Sequence, residues 1–233
     1  MRLAVWSGPR NLSTAMMYSF GSRADCAVWD EPFYAPYLKA TGIDHPMREE
    51  IIATHESDPE KVALACLDSI PRGKPHFYMK HMALHMIDGF PLDWAAECVN
   101  VHLLRHPARV VASYGAKRDR VTLDDIGFRQ QAELYARFGG VVIDSADIRA
   151  NPEKMLQKLC AEIGLPWDPA MLHWPKGGRA EDGVWASHWY GAIHQSTGFG
   201  GAEGPLPDLS VEQAALTEAA LPYYEEMTEK KLT

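Results

Sequence analysis

The chain has 233 residues, of which 46% are hydrophobic and 23% charged, and this composition predicts a single domain over residues 1–233 with a full hydrophobic core. Its formal net charge of −8 argues against a broad surface for nucleic acid or an anionic membrane. No apolar run approaches the length of a membrane span and no signal-peptide pattern opens the chain, so we expect a cytoplasmic protein whose four widely spaced cysteines are reduced thiols.

The first twenty residues carry the strongest signal in the chain. Residues 2–6 form a short apolar run that predicts a buried strand, residues 7–11 have the composition of a turn, and residues 12–20 predict a helix. Because such a turn directs backbone N–H groups and the positive end of the helix towards one point, the stretch predicts a phosphate cradle. An ordinary strand–turn–helix unit, in which serine and threonine serve only as helix caps, is the alternative interpretation.

The cradle differs from the nucleotide loop of kinases and ATPases. That loop has the pattern G-x-x-x-x-G-K-[ST], and its lysine reaches the β- and γ-phosphates. No lysine follows Gly8 in this stretch, so Arg10 must supply the positive charge, while Ser13 and Thr14 add hydroxyl donors in the first helical turn. An ordinary ATP-hydrolysing site is therefore a poor interpretation of this sequence.

The remainder of the chain alternates short apolar segments with helical ones. Further strands are predicted at residues 26–29, 76–79, 98–104 and 141–143, and helices at residues 46–55, 59–70, 107–117, 122–138, 151–163 and 210–227, whereas residues 34–45 look irregular. This alternation predicts an α/β fold with a mostly parallel central sheet. Helices flank the sheet in three layers, and a long C-terminal loop precedes the final helix.

Polar and charged residues follow two of the predicted strands. Asp30 and Glu31 follow the second strand, and Arg105 follows the fourth, with Ser113 two turns into the next helix. Ligands of open α/β sheets bind at this carboxyl edge, so the two carboxylates are candidates for a site. A solvated loop is the alternative for the two carboxylates, because aspartate and proline are common in loops.

Two histidines lie close to the end of the third predicted strand. Lys80 and His81 follow that strand, and His85 lies four residues after His81. Two histidines at this spacing share one side of a helix, but a metal site requires a third ligand, and no third residue has a suitable spacing. We therefore interpret both as ordinary surface or partly buried histidines and expect no metal.

Residues 173–204 have a different composition, rich in Gly, Trp, His and Ser and without a hydrophobic period. A loop of this length in a compact domain is commonly functional, so we predict a lid or substrate loop. Its aromatic side chains either pack on a flat ligand or anchor the loop to the core. These aromatic residues are Trp174, Trp185, Trp189, Tyr190 and Phe199.

Two segments together resemble the sulfotransferase family, whose members share a P-loop α/β fold. The segment Pro9-Arg10-Asn11-Leu12-Ser13-Thr14 resembles the family's 5′-phosphosulfate loop, which is usually Pro-Lys/Arg-Ser-Gly-Thr-Thr. The second segment, residues 104–114, resembles the segment that binds the 3′-phosphate, with Arg105 and Ser113 at its two phosphate-binding positions.

Two further stretches add to the resemblance. Residues 147–152 resemble the family's Glu-Asp-Leu-x-x-x-Pro stretch. Arg179, six residues before Trp185, resembles the Arg-Lys-Gly…Trp loop that closes on the 3′-phosphate. The resemblance thus covers nearly the whole chain as separate segments.

The resemblance implies transfer of a sulfuryl group from 3′-phosphoadenosine 5′-phosphosulfate (PAPS) to a hydroxyl or amine acceptor, by in-line displacement and without a metal ion. The implied donor-binding residues are Pro9, Arg10, Asn11, Leu12, Ser13, Thr14, Arg105, Ser113 and Arg179. A small hydroxyl compound, a sugar, a lipid and a peptide tyrosine all remain open as acceptor, and the sequence leaves the oligomeric state open.

The resemblance also implies catalytic roles. Arg10 stabilises the leaving phosphate, and Lys80 matches a lysine that reaches the transferring group. Some family members use a glutamate after the second strand as general base, which corresponds to Glu31 here. The cytosolic enzymes use a histidine two residues after the lysine, where this chain has Met82, so His81 is the second candidate.

Two other function classes remain open at this stage. A P-loop kinase or nucleotide phosphotransferase is one, although the chain lacks the Gly-Lys-[Ser/Thr] sequence and has Arg105 where an acidic residue would end the fourth strand. A non-catalytic nucleotide-binding protein of the same fold is the other, because a fold by itself does not establish activity.

Overall fold

The computed structural model describes residues 1–115 and 121–233, and its centre is one five-stranded parallel sheet. The strands are β1 (Arg2–Ser7), β2 (Cys26–Asp30), β3 (His76–Met82), β4 (Val99–Leu104) and β5 (Val141–Asp144). Their order across the sheet is β2-β3-β1-β4-β5, and every neighbouring pair is parallel. The predicted parallel α/β architecture is therefore confirmed.

Helices connect the strands and continue after the sheet is complete. They are α1 (Ser13–Gly21), α2 (Tyr34–Thr41), α3 (Arg48–Thr54), α4 (Pro59–Leu67), α5 (Pro107–Gly115), α6 (Leu123–Ile126), α7 (Phe128–Phe138), α8 (Ser145–Ala150), α9 (Pro152–Glu162), α10 (Ala186–Trp189), α11 (Gly191–His194) and α12 (Val211–Thr228). In the part of the chain that the structure describes, none of the helices combines the length and the apolar character needed to cross a bilayer.

The alternation of side chains along the strands builds two apolar layers. Leu3 and Val5 of β1 pack with side chains of α1 and α9 on one face of the sheet. Ala4 and Trp6 point to the other face and pack with side chains of α4 and α7. Because successive residues of a strand point to opposite faces, this single run of apolar residues supports both helix layers.

Some of the predicted segments differ from the structure, and one ends outside the described residues. Residues 34–41 form helix α2 rather than an irregular stretch, because burial of Tyr34, Tyr37 and Leu38 gives the segment an apolar face at helical spacing. The helix predicted at residues 122–138 is interrupted at Gly127, whose φ of 70° ends α6 and begins α7. Helix α5 is described to Gly115, and the predicted end at Lys117 lies outside the described residues.

The strand order places distant parts of the sequence along one edge. β1 lies between β3 and β4, so the loop after β1 is flanked by Lys80 of β3 and by Arg105, which follows β4. Glu31 follows β2, one strand beyond β3. The carboxyl edge of the sheet therefore presents Glu31, Lys80, the loop and Arg105 in that order.

Gly8 begins the loop after β1 and lies too close to another segment for any side chain. A Cβ atom at Gly8 would lie 2.5 Å from the backbone oxygen of Ile126. We expect Gly8→Ala to shift the loop and to lower the free energy of unfolding by about 1–3 kcal/mol, measured by urea denaturation. Gly191→Ala, where a Cβ meets nothing within 4 Å, is the matched control. If Gly8→Ala has the same free energy of unfolding as the wild type, the close approach to Ile126 does not require glycine at position 8.

Candidate active site

One cavity of about 280 Å³ opens at the carboxyl edge of the sheet. It is lined by most of the residues that the sequence singled out, which are Pro9, Arg10, Asn11, Leu12, Ser13, Thr14, Glu31, Lys80 and Arg105. These residues come from the ends of four different strands, so the parallel sheet has brought them together. Ser113 lies just behind this lining, where it contacts Arg10.

The loop after β1 wraps around the start of α1. The side-chain amide of Asn11 donates to the backbone oxygen of Leu103 (2.7 Å) and thereby anchors the loop to β4. Arg10 and Leu12 have φ angles of 61° and 67°, in the left-handed region. Leu12 stands where the resembling motif usually has glycine, the residue that adopts this conformation without strain. The loop thus takes a glycine-like path without a glycine at this position.

The N-terminus of α1 is open to an anion. Its N-cap residue, Leu12, makes no side-chain capping hydrogen bond, and the first turn contains no acidic residue. Side chains cap α4, α6, α8, α9 and α12, whereas α2, α3, α7, α10 and α11 lack a side-chain cap as α1 does. Among the described residues, the hydroxyls of Ser13 and Thr14 have no hydrogen-bond partner. Backbone donors and two hydroxyls are therefore available for a phosphate or sulfate group.

Two guanidinium groups converge beside this loop. Arg105 donates from Nη1 to the backbone oxygen of Arg10 (2.7 Å), and Arg10 donates from Nε to Oγ of Ser113 (3.0 Å). Burial and the charge of Arg105 lower the pKa of Arg10, yet guanidinium groups stay protonated at neutral pH. The two positive charges create a local site for an anionic ligand within an otherwise acidic protein.

At the other end of the cavity, Lys80 is almost completely buried. Its side chain is 1% exposed, and its ammonium donates to Asp30 Oδ1 (2.9 Å), to Glu31 Oε1 (2.6 Å) and to the hydroxyl of Tyr190. Burial by itself lowers the pKa of Lys80, but the two carboxylates outweigh it and raise the pKa above the ordinary lysine value. Lys80 is therefore a fixed positive charge.

The two carboxylates that hold Lys80 have different surroundings. Asp30 is the direct register partner of Lys80 on β2, and it also accepts from the hydroxyl of Tyr190 (2.8 Å) and from the backbone N–H of Gly183 (3.2 Å). Glu31 lines the cavity, and its φ of 41° turns the chain so that its side chain reaches the same ammonium. Asp30 is thus tied into the protein, whereas Glu31 faces the ligand space.

Burial raises the pKa of Glu31. The charge of Lys80 opposes this effect, and the neighbouring carboxylate of Asp30 adds to it. A glutamate with a raised pKa, at the wall of a cavity, has the properties of a general base.

The structure does not bring His81 to the cavity. β3 continues to Met82, so His81 and Lys80 point to opposite faces of the sheet. The His81 ring stacks on Trp6, with 4.7 Å between centroids, and neither ring nitrogen has a hydrogen-bond partner among the described residues. Burial lowers the pKa of His81 to about 3.

The structure also places Arg179 away from the cavity. Arg179 donates from Nη2 to the backbone oxygen of Gly21 (2.7 Å), which is the last residue of α1, and its guanidinium lies over the ring of Tyr18. The phosphate cradle is at the opposite end of that helix. Arg179 therefore supports the C-terminal end of α1, and we do not include it among the donor-binding residues.

A second part of the cavity wall was anticipated from the sequence only at Trp189 and Tyr190 of the 173–204 loop. It is largely aromatic and apolar, and its residues are Tyr34, His45, Met82, Leu84, His85, Trp189, Tyr190, Ala192 and Ile193. From the sequence we interpret His85 as an ordinary surface or partly buried histidine. In the structure its ring is buried between the rings of Tyr34 and Tyr37, at centroid distances of 4.7 and 4.8 Å. Burial keeps the pKa of His85 well below its ordinary value. No local pattern identifies the rest of this wall, because its residues come from α2 and the stretch after it, from the end of β3 and the turn that follows, and from the 173–204 loop.

The comparison with protein families agrees with this geometry. The sequence matches the family described as "Sulfotransferase domain" over residues 1–231. The chain belongs to this sulfotransferase family.

Two relatives of this sulfotransferase-family chain occur in Arabidopsis thaliana. It is 33% identical over 225 residues to branched-chain-amino-acid aminotransferase-like protein 2 and 34% identical over 224 residues to branched-chain-amino-acid aminotransferase-like protein 1. Each alignment covers 94% of this chain but 40% of the relative, so the chain spans less than half the length of these relatives.

Solved sulfotransferase structures share the fold. The sulfotransferase from Alicyclobacillus acidocaldarius has a TM-score of 0.57 at 12% identity, covering 99% of this chain and 96% of that one. The sulfotransferase domain from the curacin biosynthetic pathway has a TM-score of 0.56 at 14% identity, covering 93% and 96%.

Because Asp30 and Glu31 have different surroundings, we expect their substitution to change the free energy of unfolding by different amounts. Asp30→Asn leaves fewer acceptors for Lys80, Tyr190 and Gly183, so we expect the free energy of unfolding to fall by about 1–3 kcal/mol. Glu31→Gln leaves Lys80 paired with Asp30 and relieves the repulsion between the carboxylates, so we expect a change of less than about 1 kcal/mol. Urea denaturation of the two variants tests this, and equal losses would contradict it.

Proposed function

We propose that the chain transfers a sulfuryl group from PAPS to a hydroxyl (or amine) group of a small-molecule acceptor. The observation that carries the proposal is the single cavity that joins an open anion cradle and two arginines to a buried Lys80–Glu31 pair and an aromatic wall. An anionic donor fits one end, and an uncharged acceptor fits the other.

The donor end has groups for two separate phosphates. The N–H groups at the start of α1, the hydroxyls of Ser13 and Thr14, and Arg10 would hold the 5′-phosphate group and stabilise it as it leaves. Arg105 and Ser113, whose hydroxyl accepts from Arg10, would bind the 3′-phosphate. In this proposal, positioning and electrostatics supply most of the rate enhancement, and no metal ion takes part.

The reacting groups lie at the junction of the two ends. The acceptor oxygen forms a bond to sulfur as the bond from sulfur to the 5′-phosphate oxygen breaks, and Glu31 takes the proton of the acceptor hydroxyl. The raised pKa of Glu31 brings its proton affinity closer to neutral pH, which favours general-base catalysis. Lys80 orients Glu31 and supplies positive charge beside the transferring group.

The acceptor wall indicates the class of compound. Tyr34, Met82, Leu84 and Ile193 present aromatic and aliphatic surface, and Glu31 provides the polar contact. A compact acceptor with one hydroxyl on a mostly apolar body fits this wall. The residues of the 173–204 loop that line the wall support its role as a substrate loop.

We also propose a cytoplasmic location. The four cysteines, Cys26, Cys66, Cys98 and Cys160, are free thiols, as is usual in a reducing compartment.

Donor binding is tested with 3′-phosphoadenosine 5′-phosphate (PAP). At 100 times its Kd, a ligand adds about 2.7 kcal/mol to stability, which raises the melting temperature of a chain of this size by roughly 5–10 °C. We expect this shift without magnesium and expect Arg105→Ala to abolish it. ATP with magnesium is the control. A shift in melting temperature with ATP and magnesium but not with PAP would indicate a phosphotransferase. No shift with either nucleotide would indicate a non-catalytic protein.

The role of Glu31 is tested by turnover. Using an acceptor found by screening phenols and aliphatic alcohols for PAP release from PAPS, we expect Glu31→Gln to reduce kcat by about 10²–10⁴-fold. Its affinity for PAP should stay unchanged. Since Glu31 must be ionised to accept a proton, wild-type kcat should fall with decreasing pH in a range above the ordinary glutamate pKa of about 4.3.

A contrary result would identify another base. If Glu31→Gln turns over like the wild type, Glu31 is not the base. His85→Gln and His45→Gln then test the two histidines on the cavity wall.

A further inference from the structure

Three arginines from separate elements converge on one carboxylate. Arg105 follows β4, Arg109 lies in α5 and Arg149 lies in α8. Glu203 Oε1 accepts from Arg105 Nε (3.0 Å) and from Arg149 Nη1 (3.2 Å), and Glu203 Oε2 lies 2.8 Å from Arg109 Nε. We call the three arginines the arginine cluster. The Glu203 side chain is 4% exposed, so its carboxylate fills the centre of the cluster.

The charges of this group do not balance. Three guanidiniums surround one carboxylate, which leaves an excess of two positive charges within these four side chains. Burial and the positive charge of nearby Arg105 lower the pKa of Arg10. A ligand with two negative charges compensates the cluster better than one carboxylate does, and guanidiniums match the oxygens of a phosphate monoester particularly well.

The segment that carries Glu203 is held mainly by the arginines that it covers. Residues 199–210 have no regular secondary structure, and Glu203 is flanked by Gly200, Gly201 and Gly204. The backbone oxygen of Gly201 accepts from Arg149 Nε (2.9 Å), and that of Gly204 accepts from Arg109. Because glycines leave the backbone free to change direction, this segment can leave the cluster when other anions take over its contacts.

The cluster adjoins the cavity through one of its members. Arg105 lines the cavity and donates to the backbone oxygen of Arg10 in the anion cradle, whereas Arg109, Arg149 and Glu203 lie behind it. An anion that enters from the cavity therefore meets Arg105 first. It reaches the other two arginines only by replacing the carboxylate of Glu203.

We propose that the arginine cluster binds the 3′-phosphate of the donor nucleotide and that Glu203 occupies this site until the donor displaces it. The inference rests on the proposed use of PAPS and adds Arg109 and Arg149 as specificity-determining residues for the 3′-phosphate. In the donor-free protein, Glu203 compensates part of the charge of the cluster. In the complex, the phosphate takes that place and residues 199–204 are released.

The main test compares the wild type with Glu203→Gln. Glutamine keeps the size of the side chain but not its charge, so PAP no longer competes with a carboxylate. We expect Glu203→Gln to bind PAP about tenfold more tightly or better by isothermal titration calorimetry. Adenosine 5′-phosphate, which lacks the 3′-phosphate, should bind both proteins equally. Glu133→Gln, which removes an exposed partner of Arg129, is the control variant and should leave PAP affinity unchanged.

The arginines are tested in the variant that lacks the competing carboxylate. In the Glu203→Gln background, Arg149→Gln should weaken PAP binding about tenfold and leave adenosine 5′-phosphate binding unchanged. Equal loss of affinity for both nucleotides, or no loss for PAP, would remove Arg149 from the 3′-phosphate site.

A measurement on the wild type avoids any dependence on the folding of variants. We expect hydrogen exchange of the amides in residues 199–204 to become faster when PAP binds. The proposed displacement of Glu203 is wrong if PAP binds the wild type while hydrogen exchange in residues 199–204 stays unchanged or slows. It is also wrong if Glu203→Gln binds PAP no more tightly than the wild type does. If PAP binds neither protein, the proposed donor itself is wrong, which separates the two failures.

Discussion

The burial of the Lys80 ammonium imposes a strict requirement on its surroundings. A buried charge without partners costs several kcal/mol, and Lys80 is compensated by Asp30 and Glu31 and contacts the hydroxyl of Tyr190. These partners come from β2, from the turn after it and from the 173–204 loop. The same contacts therefore fix the end of the sheet, the orientation of Glu31 and the position of the aromatic wall.

The carboxyl edge of the sheet has opposite charge at its two ends. Near β2 and β3, two carboxylates face one ammonium, which gives an excess of one negative charge within that group. Near β4 and β5, arginines outnumber the carboxylate that they bind. The open cradle of α1 lies between them, because β1 is the central strand. In the proposed function, this polarity favours an anionic donor at one end and acceptance of a proton at the other.

The 173–204 loop contributes to both ends of this arrangement. Trp189, Tyr190 and Ile193 line the aromatic wall of the cavity, and Glu203 enters the arginine cluster. Within the loop, Trp185 donates from its indole N–H to the hydroxyl of Tyr190 (3.1 Å). The side chain of Trp185 is buried. Some of the aromatic residues thus anchor the loop, and others line the cavity.

Local sequence determined the five strands, the turn after β1 and the presence of Glu31, Lys80 and Arg105 near strand ends, because periodicity and turn chemistry involve neighbouring residues. Tertiary structure decided which of these side chains share a cavity. β3 extends past its predicted end, so His81 points away from Lys80. His85 and the three arginines around Glu203 meet their partners only through strand order and long-range packing, which no local pattern specifies.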